Sequence, residues 1–272
     1  MSYLLLHGGE SSAVNVTISA DVVSLTLTTY KATVNADVNV AAGTTALTLT
    51  PNAADVNLNV SVAAQKAGLT LTTYPATVNA EVSISANRAE FTLSSYPAGI
   101  NAEVNVNASS AALTLTPYNA DVDLDVQVSA TKADLTLTTY SAAVNAEVNI
   151  SSGVQQLTLT TYPAVVNAGI NVSASVQELT LTANPASLNV ATGITAAKAS
   201  FTLTAYPATV TVSDDVEVTA GRVELTLTAY QANVNKAINV GATSASNTLT
   251  SYAADVNLNV SVAAKLAELI LT

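Results

Sequence analysis

The sequence of 272 residues has no cysteine and no tryptophan, only two phenylalanines and a single histidine, His7. Without cysteine the chain has no disulfide, no thiolate metal site and no thiol nucleophile. One histidine in the N-terminal HGGE does not supply a Ser-His-Asp set, and the sequence shows no metal-ligand cluster or phosphate-binding loop. We therefore expect a protein that is not an enzyme, with no catalytic residue, no bound metal and no cofactor.

Basic residues and long apolar runs are also scarce. Eight Lys and Arg stand against nineteen Asp and Glu, which gives a net charge of −11. Nucleic-acid binding needs a basic stripe, so we expect no nucleic-acid partner. No apolar run approaches the roughly 18 residues of a membrane-crossing helix, and the start, MSYLLLHGGE, lacks the basic region of a signal peptide. We expect no membrane insertion and no export signal.

The sequence is dominated by an internal repeat. The phrase LTLT, or a close variant of it, begins every 22 residues, with two extra residues between 212 and 215. Repeats of this period indicate a solenoid or a fibre. We expect a single continuous repeat array over residues 11–272, and residues 1–10 as an N-terminal cap or attachment segment. The starts of the phrase are Leu25, Leu47, Leu69, Phe91, Leu113, Leu135, Leu157, Leu179, Phe201, Leu225, Asn247 and Leu269.

Within each unit, apolar and polar residues alternate with a period of two, as in residues 69–72 and 78–84. This pattern predicts a short strand of about five residues and a longer one of about eight, each with one buried face. Tyr-Pro-Ala forms the corner between them, because proline is excluded from a paired central strand. Two inward columns are predicted: Val34, Val56, Val78, Ile100, Val122, Val144, Val166 and Leu188, and Val40, Val62, Ile84, Val106, Val128, Ile150, Val172 and Ile194.

The predicted fold class is all-β, an elongated β-solenoid of about twelve 22-residue coils, each with a short and a long strand. One unit contains too few large apolar side chains to be stable alone, so it needs neighbours stacked on both sides. The same alternation fits an intertwined homotrimeric β-fibre, in which three chains share the core. A long hairpin meander is the third architecture that the pattern allows.

A threonine pair, T-x-T, recurs on the outward side of the short strand. Such a regular grid of hydroxyls and methyls resembles the ice-binding face of β-solenoid antifreeze proteins, which would order water into an ice-like layer. The simpler interpretation is that threonine favours strands and is soluble, so it covers an exposed strand face. The candidate interaction face consists of Thr70, Thr72, Thr114, Thr116, Thr136, Thr138, Thr158 and Thr160.

Three further columns carry polar groups. The asparagine column predicts a hydrogen-bonded ladder along the axis, broken at Asp123. The corner tyrosines predict stacked rings, with sugar binding as the alternative. The triplet Asp121, Asp123 and Asp125 supplies oxygen ligands of the type that Ca²⁺ prefers, but no glycine-rich loop surrounds it, so a solvated acidic face is favoured. The columns are Asn35, Asn57, Asn79, Asn101, Asn145, Asn167 and Asn189, and Tyr30, Tyr74, Tyr96, Tyr118, Tyr140, Tyr162, Tyr206, Tyr230 and Tyr252.

The phrases LTLTTYKATVNADVNV (25–40) and LTLTTYPATVNAEVSI (69–84) resemble repeats in structural proteins of tailed bacteriophages, notably marine ones. The resemblance implies a non-enzymatic structural protein of a phage particle: a fibre, spike or surface decoration that contacts the host receptor. It also implies a virion location after assembly in the host cytoplasm. The implied partners are copies of the chain, other virion proteins and a cell-surface glycan. The alternative function is an ice-binding or adhesive β-solenoid that uses the T-x-T face.

Overall fold

A computed structural model describes twelve stretches of the chain, and each stretch contains one β-strand. The described residues are 12–30, 34–52, 55–74, 77–96, 99–118, 121–140, 143–162, 165–184, 187–206, 209–230, 233–252 and 255–271. The structure is about 96% strand with no helix. Across these described stretches, therefore, no helix is long and apolar enough to cross a membrane.

The strands follow one another at the period predicted from the sequence. They are β1 Ser12–Tyr30, β2 Val34–Asn52, β3 Val56–Thr73, β4 Val78–Ser95, β5 Gly99–Pro117, β6 Asp121–Thr139, β7 Ala143–Thr161, β8 Val165–Ala183, β9 Ser187–Ala205, β10 Thr209–Tyr230, β11 Asn233–Tyr252 and β12 Asp255–Leu271.

All twelve strands form one parallel sheet in chain order, β1 to β12. Over most of the array each residue pairs with the residue 22 positions later, as Val78 does with Ile100. Parallel strands normally need a crossover of about a dozen residues or more, and here only a few residues separate them. Each strand must therefore curve through a full coil itself, which makes the molecule a parallel β-solenoid. The predicted fold class is confirmed. The hairpin meander, which requires antiparallel pairs, is wrong.

Each strand bends at an internal corner, as β4 shows. Its buried residues have even numbers up to Ile84 and odd numbers from Ala89 onward, and both Asn87 and Arg88 are exposed. The pairing skips one residue at the same point, passing from Ala86 to Arg88. A corner thus lies inside a continuous strand, where the sequence pattern predicts two separate strands. We call residues 78–86 the long segment and 88–95 the short segment, and we use the same names for the other coils.

The predicted inward columns form the core wherever their side chains are described. The six described members of the Val78 column are between 0% and 5% exposed, and all eight of the Ile84 column are between 2% and 4% exposed. The two leucines of LTLT close the opposite side, and Leu181 and Leu203 are completely buried. Because the long and short segments face each other across a narrow interior, one chain encloses the core by itself. The side chains of Val34 and Leu188 lie outside the described residues.

The predicted number of coils is slightly high, because the structure forms about nine turns. In β2 to β10, described buried side chains come from both the long and the short segment. In β1 the apolar Val16 and Ile18 of the long segment are only partly buried. A terminal coil has a neighbour on one side, so less of its apolar surface is covered.

The two-residue insertion seen in the sequence forms a bulge in β10. β10 is 22 residues long, and its register against β11 shifts between Val212 and Val216. The two extra residues are therefore accommodated locally, and Leu225 returns to the leucine column opposite Phe201. A bulge of this kind changes the strand without interrupting the sheet. The predicted N-terminal segment 1–10 lies outside the described residues.

Candidate functional surfaces

The threonine pairs form two parallel rows on the outer face of the short segments. In β1 to β11 the first row consists of Thr26, Thr48, Thr70, Thr92, Thr114, Thr136, Thr158, Thr180, Thr202, Thr226 and Thr248. The second row consists of Thr28, Thr50, Thr72, Ser94, Thr116, Thr138, Thr160, Thr182, Thr204, Thr228 and Thr250. Two positions depart from threonine: Ser94 in the second row, and Ile270 in β12, which pairs with Thr248 at the end of the first row. All eight candidate residues therefore lie on one face, and sequence spacing placed them there correctly.

The geometry of the threonine rows is set by the sheet. Adjacent coils lie about 4.8 Å apart, and the two rows are about 7 Å apart along the strand. The threonines of the candidate face are half-buried except Thr114, which is exposed. No charged residue belongs to either row. The rows are therefore a regular, uncharged strip along the outer face of the short segments.

The predicted asparagine ladder is present in two pieces. Asn57 Nδ2 donates to Asn35 Oδ1 at 2.8 Å and Asn79 Nδ2 donates to Asn57 Oδ1 at 2.9 Å. Asn167 Nδ2 donates to Asn145 Oδ1 at 2.9 Å. Asn101 and Asp123 lie between these two pieces. The ionised carboxylate of Asp123 can accept but not donate hydrogen bonds. The ladder ties coils together along the axis and gives the row a structural role.

Replacing Asp123 with asparagine is expected to extend the ladder and to raise the free energy of unfolding by about 0.5–1 kcal/mol. The new amide can donate to the preceding coil and accept from the following one. Urea unfolding of the variant measures the gain. Asp121→Asn is the matched control, because it removes a carboxylate from the same strand without entering the asparagine row. Equal gains in both variants would contradict the ladder explanation and leave charge removal as the cause.

A row of carboxylates lies two residues along each strand from the asparagines. Glu81, Glu103, Asp125 and Glu147 occupy four consecutive coils in register. Partial burial raises the pKa of Asp125 above its ordinary value, and the carboxylates of Glu147 and Glu103 raise it further. Asn105 Nδ2 donates to Glu103 Oε1 at 3.0 Å, whereas Asp125 Oδ1 is buried with no hydrogen-bond partner in the described structure. Like charges opposite one another destabilise a sheet.

The carboxylates do not assemble a metal site. Within the described stretches, no group of three or more Asp, Glu or His side chains is placed to hold an ion. Because successive outward residues of a strand lie about 7 Å apart, Asp121, Asp123 and Asp125 form a line along the surface. The favoured interpretation, a solvated acidic face, agrees with this arrangement.

The raised pKa of Asp125 predicts an unusual pH dependence. The folded state holds the Asp125 proton at a higher pH than the unfolded state, so its contribution to stability falls as pH rises through the window above the ordinary pKa. Asp125→Asn is therefore expected to be more stable than the natural chain at pH 7, and the difference should vanish below the ordinary carboxyl pKa. Urea unfolding of both proteins between pH 3 and pH 7 measures it. A difference that grows on acidification would contradict the assignment.

The corner tyrosines form a ladder of stacked rings. Ring centroids are 5.1 Å apart for Tyr74 and Tyr96, and 4.7 Å apart for Tyr140 and Tyr162, with interplanar angles of 3° and 4°. A second stack contains Tyr206, Tyr230 and Tyr252. The predicted stacking is confirmed except at Tyr30, whose side chain lies outside the described residues. Within each stack the ring faces cover one another and leave edges and hydroxyls to solvent. A sugar platform needs open faces, so stacked rings inside the ladder do not provide one.

Sequence reasoning missed a polar groove on the outer face of the long segments. This groove has a volume of about 950 Å³ and runs along the axis from Ser61 in β3 to Thr219 in β10. Hydroxyl and amide side chains line its two rims, apolar groups make up more than half of its exposed lining, and none of the described lining residues is charged. The signal in the sequence is the recurrence of Ser, Asn and Gln at two outward positions per coil. Its central lining residues are Ser83, Ser85, Asn105, Asn107, Gln127 and Ser129.

Ion pairs form between residues two positions apart at the internal corners. Arg88 contacts Glu90 at 2.6 Å, and Lys132 contacts Asp134 at 2.8 Å. The four side chains are between 37% and 62% exposed, so screening by solvent leaves each pair worth little. These pairs lie beside the first threonine row and do not form a binding site.

The surfaces of this chain are thus two threonine rows, an asparagine row, a carboxylate row, a tyrosine ladder and a polar groove, all running along one axis. Comparison with protein-family models, with curated proteins and with solved structures finds no match, so these surfaces are the basis on which a function can be assigned.

Proposed function

We propose that the protein is a non-enzymatic structural component of a phage particle: a fibre, spike or surface decoration. The observation that carries this proposal is the continuous parallel register of twelve strands, interrupted by a single bulge. Each coil buries its apolar faces against its neighbours, so the array resists bending as one body. Eleven intervals of about 4.8 Å make a rod roughly 50 Å long. The resemblance of the LTLTTY repeat to phage structural proteins supports the same role.

The surfaces of the rod fit contact functions rather than chemistry. The polar groove offers uncharged hydrogen-bonding groups over eight coils, which suits an extended, uncharged cell-surface glycan. The flat threonine face suits packing against another protein of the particle or a second copy of the chain. The proposal therefore includes receptor contact through the polar groove and self-association through the threonine face, which are separate surfaces.

Antibodies raised against the purified chain test the proposal directly. Immunogold electron microscopy of intact phage particles should place the label on a fibre, spike or outer shell. Mass spectrometry of density-purified particles should find the chain at a stoichiometry of many copies. A gene neighbourhood without capsid, portal or tail genes, together with particles that lack the chain, would overturn it.

A second candidate function is ice binding by the threonine rows. The specific observation in its favour is that the first row contains threonine in all eleven strands from β1 to β11. A lattice with fixed spacings in two directions can order water over an area that isolated threonines cannot.

Thermal hysteresis and ice-crystal habit test this second function. If it holds, replacing Thr136 and Thr158 with lysine should abolish hysteresis by disrupting the centre of the first row. Replacing Asn145 and Asn167 with lysine changes another face and is the matched control, for which hysteresis should be retained. Absence of hysteresis in the natural chain at high concentration would remove ice binding and would leave the structural proposal untouched.

A further inference from the structure

The polar groove presents similar chemistry at each coil that it crosses. It runs along the axis over β3 to β10, between two outward positions of each long segment. These positions pair in register from coil to coil, as Gln127 does with Asn149 and Ser129 does with Ser151. Adjacent coils are about 4.8 Å apart. A compact ligand would therefore meet several similar sites in succession, whereas a periodic polymer lying along the axis would use all of them at once.

The two rims of the polar groove carry different groups in its central part, β5 to β8. One rim has an amide in each of these four coils, and the other has mostly hydroxyls. Each coil thus offers hydrogen-bonding groups on both sides of the groove. The amide rim consists of Asn105, Gln127, Asn149 and Asn171, and the hydroxyl rim consists of Asn107, Ser129, Ser151 and Ser173.

The floor between the rims lies over residues whose side chains point inward: Val106, Val128, Ile150 and Val172. Their peptide groups pair with the neighbouring strands, and apolar groups make up more than half of the exposed lining. A ligand that fits must therefore have polar edges and apolar faces. An extended chain of β-1,4-linked pyranoses has this form, because its hydroxyls project from both edges of a ribbon and its ring C–H groups cover the two faces.

The charges beside the polar groove disfavour anionic polymers. The carboxylate row lies one outward position from the amide rim, and two of its members accept hydrogen bonds from that rim. Asn105 Nδ2 donates to Glu103 Oε1 at 3.0 Å, and Asn149 Nδ2 donates to Glu147 Oε1 at 3.4 Å. The Oδ1 atoms of both amides keep acceptor capacity for the hydroxyls of a ligand. The net charge of −11 adds repulsion at longer range, which an uncharged glycan does not meet.

We propose that the polar groove binds a neutral β-1,4-linked glycan along the solenoid axis, with successive sugar rings on successive coils. The edges of the ribbon bond to the two rims, and one face of each ring lies on the floor. Binding is strongest over β5 to β8, where the amide rim is complete, because the rim position is Ser83 before these coils and Gly193 after them. Such a chain would be the receptor in the proposed function, on which this inference rests.

Calorimetric titration of the full chain with cellobiose, cellohexaose and chitohexaose tests the proposal. Because each added ring reaches another coil, cellohexaose should bind at least about tenfold more tightly than cellobiose. Maltohexaose has the same rings as cellohexaose in a curled, α-1,4-linked chain and should bind more weakly by a similar factor. Carboxymethylated cellohexaose should also bind more weakly than cellohexaose. Failure of both hexaoses to bind, affinity independent of length or linkage, or tighter binding of the carboxymethylated chain would overturn the proposal.

Variants of one coil locate the bound chain. Gln127→Ala combined with Ser129→Ala removes a polar group from each rim in β6 and should weaken cellohexaose binding about tenfold, since two hydrogen bonds are lost. Lys132→Ala combined with Asp134→Ala changes the same strand outside the polar groove and should retain affinity within about twofold. The side-chain amide NMR signal of Gln127 should shift saturably in the natural chain. Equal affinities of the two double variants, or an unshifted Gln127 signal, would overturn the location.

The glycan assignment and the phage role can fail separately. Particles that lack the chain would reject the phage role and would leave a measured affinity for cellohexaose in place. A chain that is present in the particles but binds none of the oligosaccharides would keep its structural role and would lose only this ligand.

Discussion

Deleting one whole repeat, residues 113–134, is expected to leave a folded solenoid, whereas deleting only residues 113–123 is expected to destroy the fold of the array. The larger deletion joins Ala112 to Leu135, and these residues already occupy successive positions of the repeat, since Leu113 pairs with Leu135. Every column then continues across the junction. Only one coil interface is lost, and in a linear array stability is approximately a sum over interfaces.

The smaller deletion removes a short segment and a corner from one coil. Ala112 would be followed directly by Leu124, a residue of the long segment, so the coil would have no leucine pair to oppose its valines. The two neighbouring coils would each expose buried leucines at the gap. At about 25 cal/mol per Å² of apolar surface, the cost exceeds that of the whole-repeat deletion by several kcal/mol.

Circular dichroism and size-exclusion chromatography separate these outcomes. The 22-residue deletion should keep the strand signal per residue and a monodisperse profile, and the 11-residue deletion should lose both. The smaller deletion is thus expected to cause the greater loss of structure. Damage that simply increased with the number of residues removed would give the opposite result. Equal loss of structure in the two variants would contradict the additive solenoid.

Truncating a core leucine should have the largest effect of any single substitution. Leu181 is completely buried and lies in register between Leu159 and Leu203. Leu181→Ala is expected to lower the free energy of unfolding locally by about 2–5 kcal/mol, because the coils on either side are held by the same sheet and collapse only partly into the cavity. Thr182→Ala, the next residue on the outer face, should cost less than about 1 kcal/mol.

Hydrogen exchange is the appropriate measurement, because long repeat arrays do not always unfold in one step. Amides of β7 to β9 should exchange at least about 30-fold faster in Leu181→Ala, and amides of β2 and β3 should change little. A uniform acceleration along the whole array would instead show that the solenoid unfolds as one cooperative unit. Similar exchange in the leucine and threonine variants would contradict the assignment of Leu181 to the core.

The two variants also bear on the threonine face. The threonines of this face alternate with buried leucines on the same strands, so a threonine substitution that disturbs its strand would also damage the core. Thr182→Ala measures how much a threonine substitution lowers the stability of the core. A small stability change in this variant would justify attributing a lost surface activity to the threonine rows themselves.

Much of this architecture followed from the sequence because the repeat places equivalent residues in columns. Once Val78 and Ile100 are aligned, a parallel in-register sheet gives them the same environment, so one coil predicts the others. The asparagine ladder and the tyrosine stacks followed for the same reason. The pairing between coils is local and periodic, and local periodic patterns are what a sequence displays directly.

Other features escaped sequence reasoning because they depend on how the strand bends. Gln155 and Gln177 are 0% and 1% exposed and lie opposite each other in register, at a position where most other coils have alanine. The adjacent Val154 and Val176 are each 41% exposed. Hydrophobicity alone would bury the valines and expose the glutamines. The glutamines are buried instead, because the buried leucines that follow them fix which positions of the short segment face inward. The structure shows at which residue the inward positions change from one set of alternate residues to the other.

The sequence by itself determined the 22-residue period, the alternation that separates core from surface, and the composition of each row. Only the tertiary structure decided that the two strands of a unit are one bent strand, and that the outward Ser, Asn and Gln positions enclose a groove. The physical reason is that the sequence shows which residues occupy equivalent positions in successive coils, whereas a groove arises from the curvature of the strands.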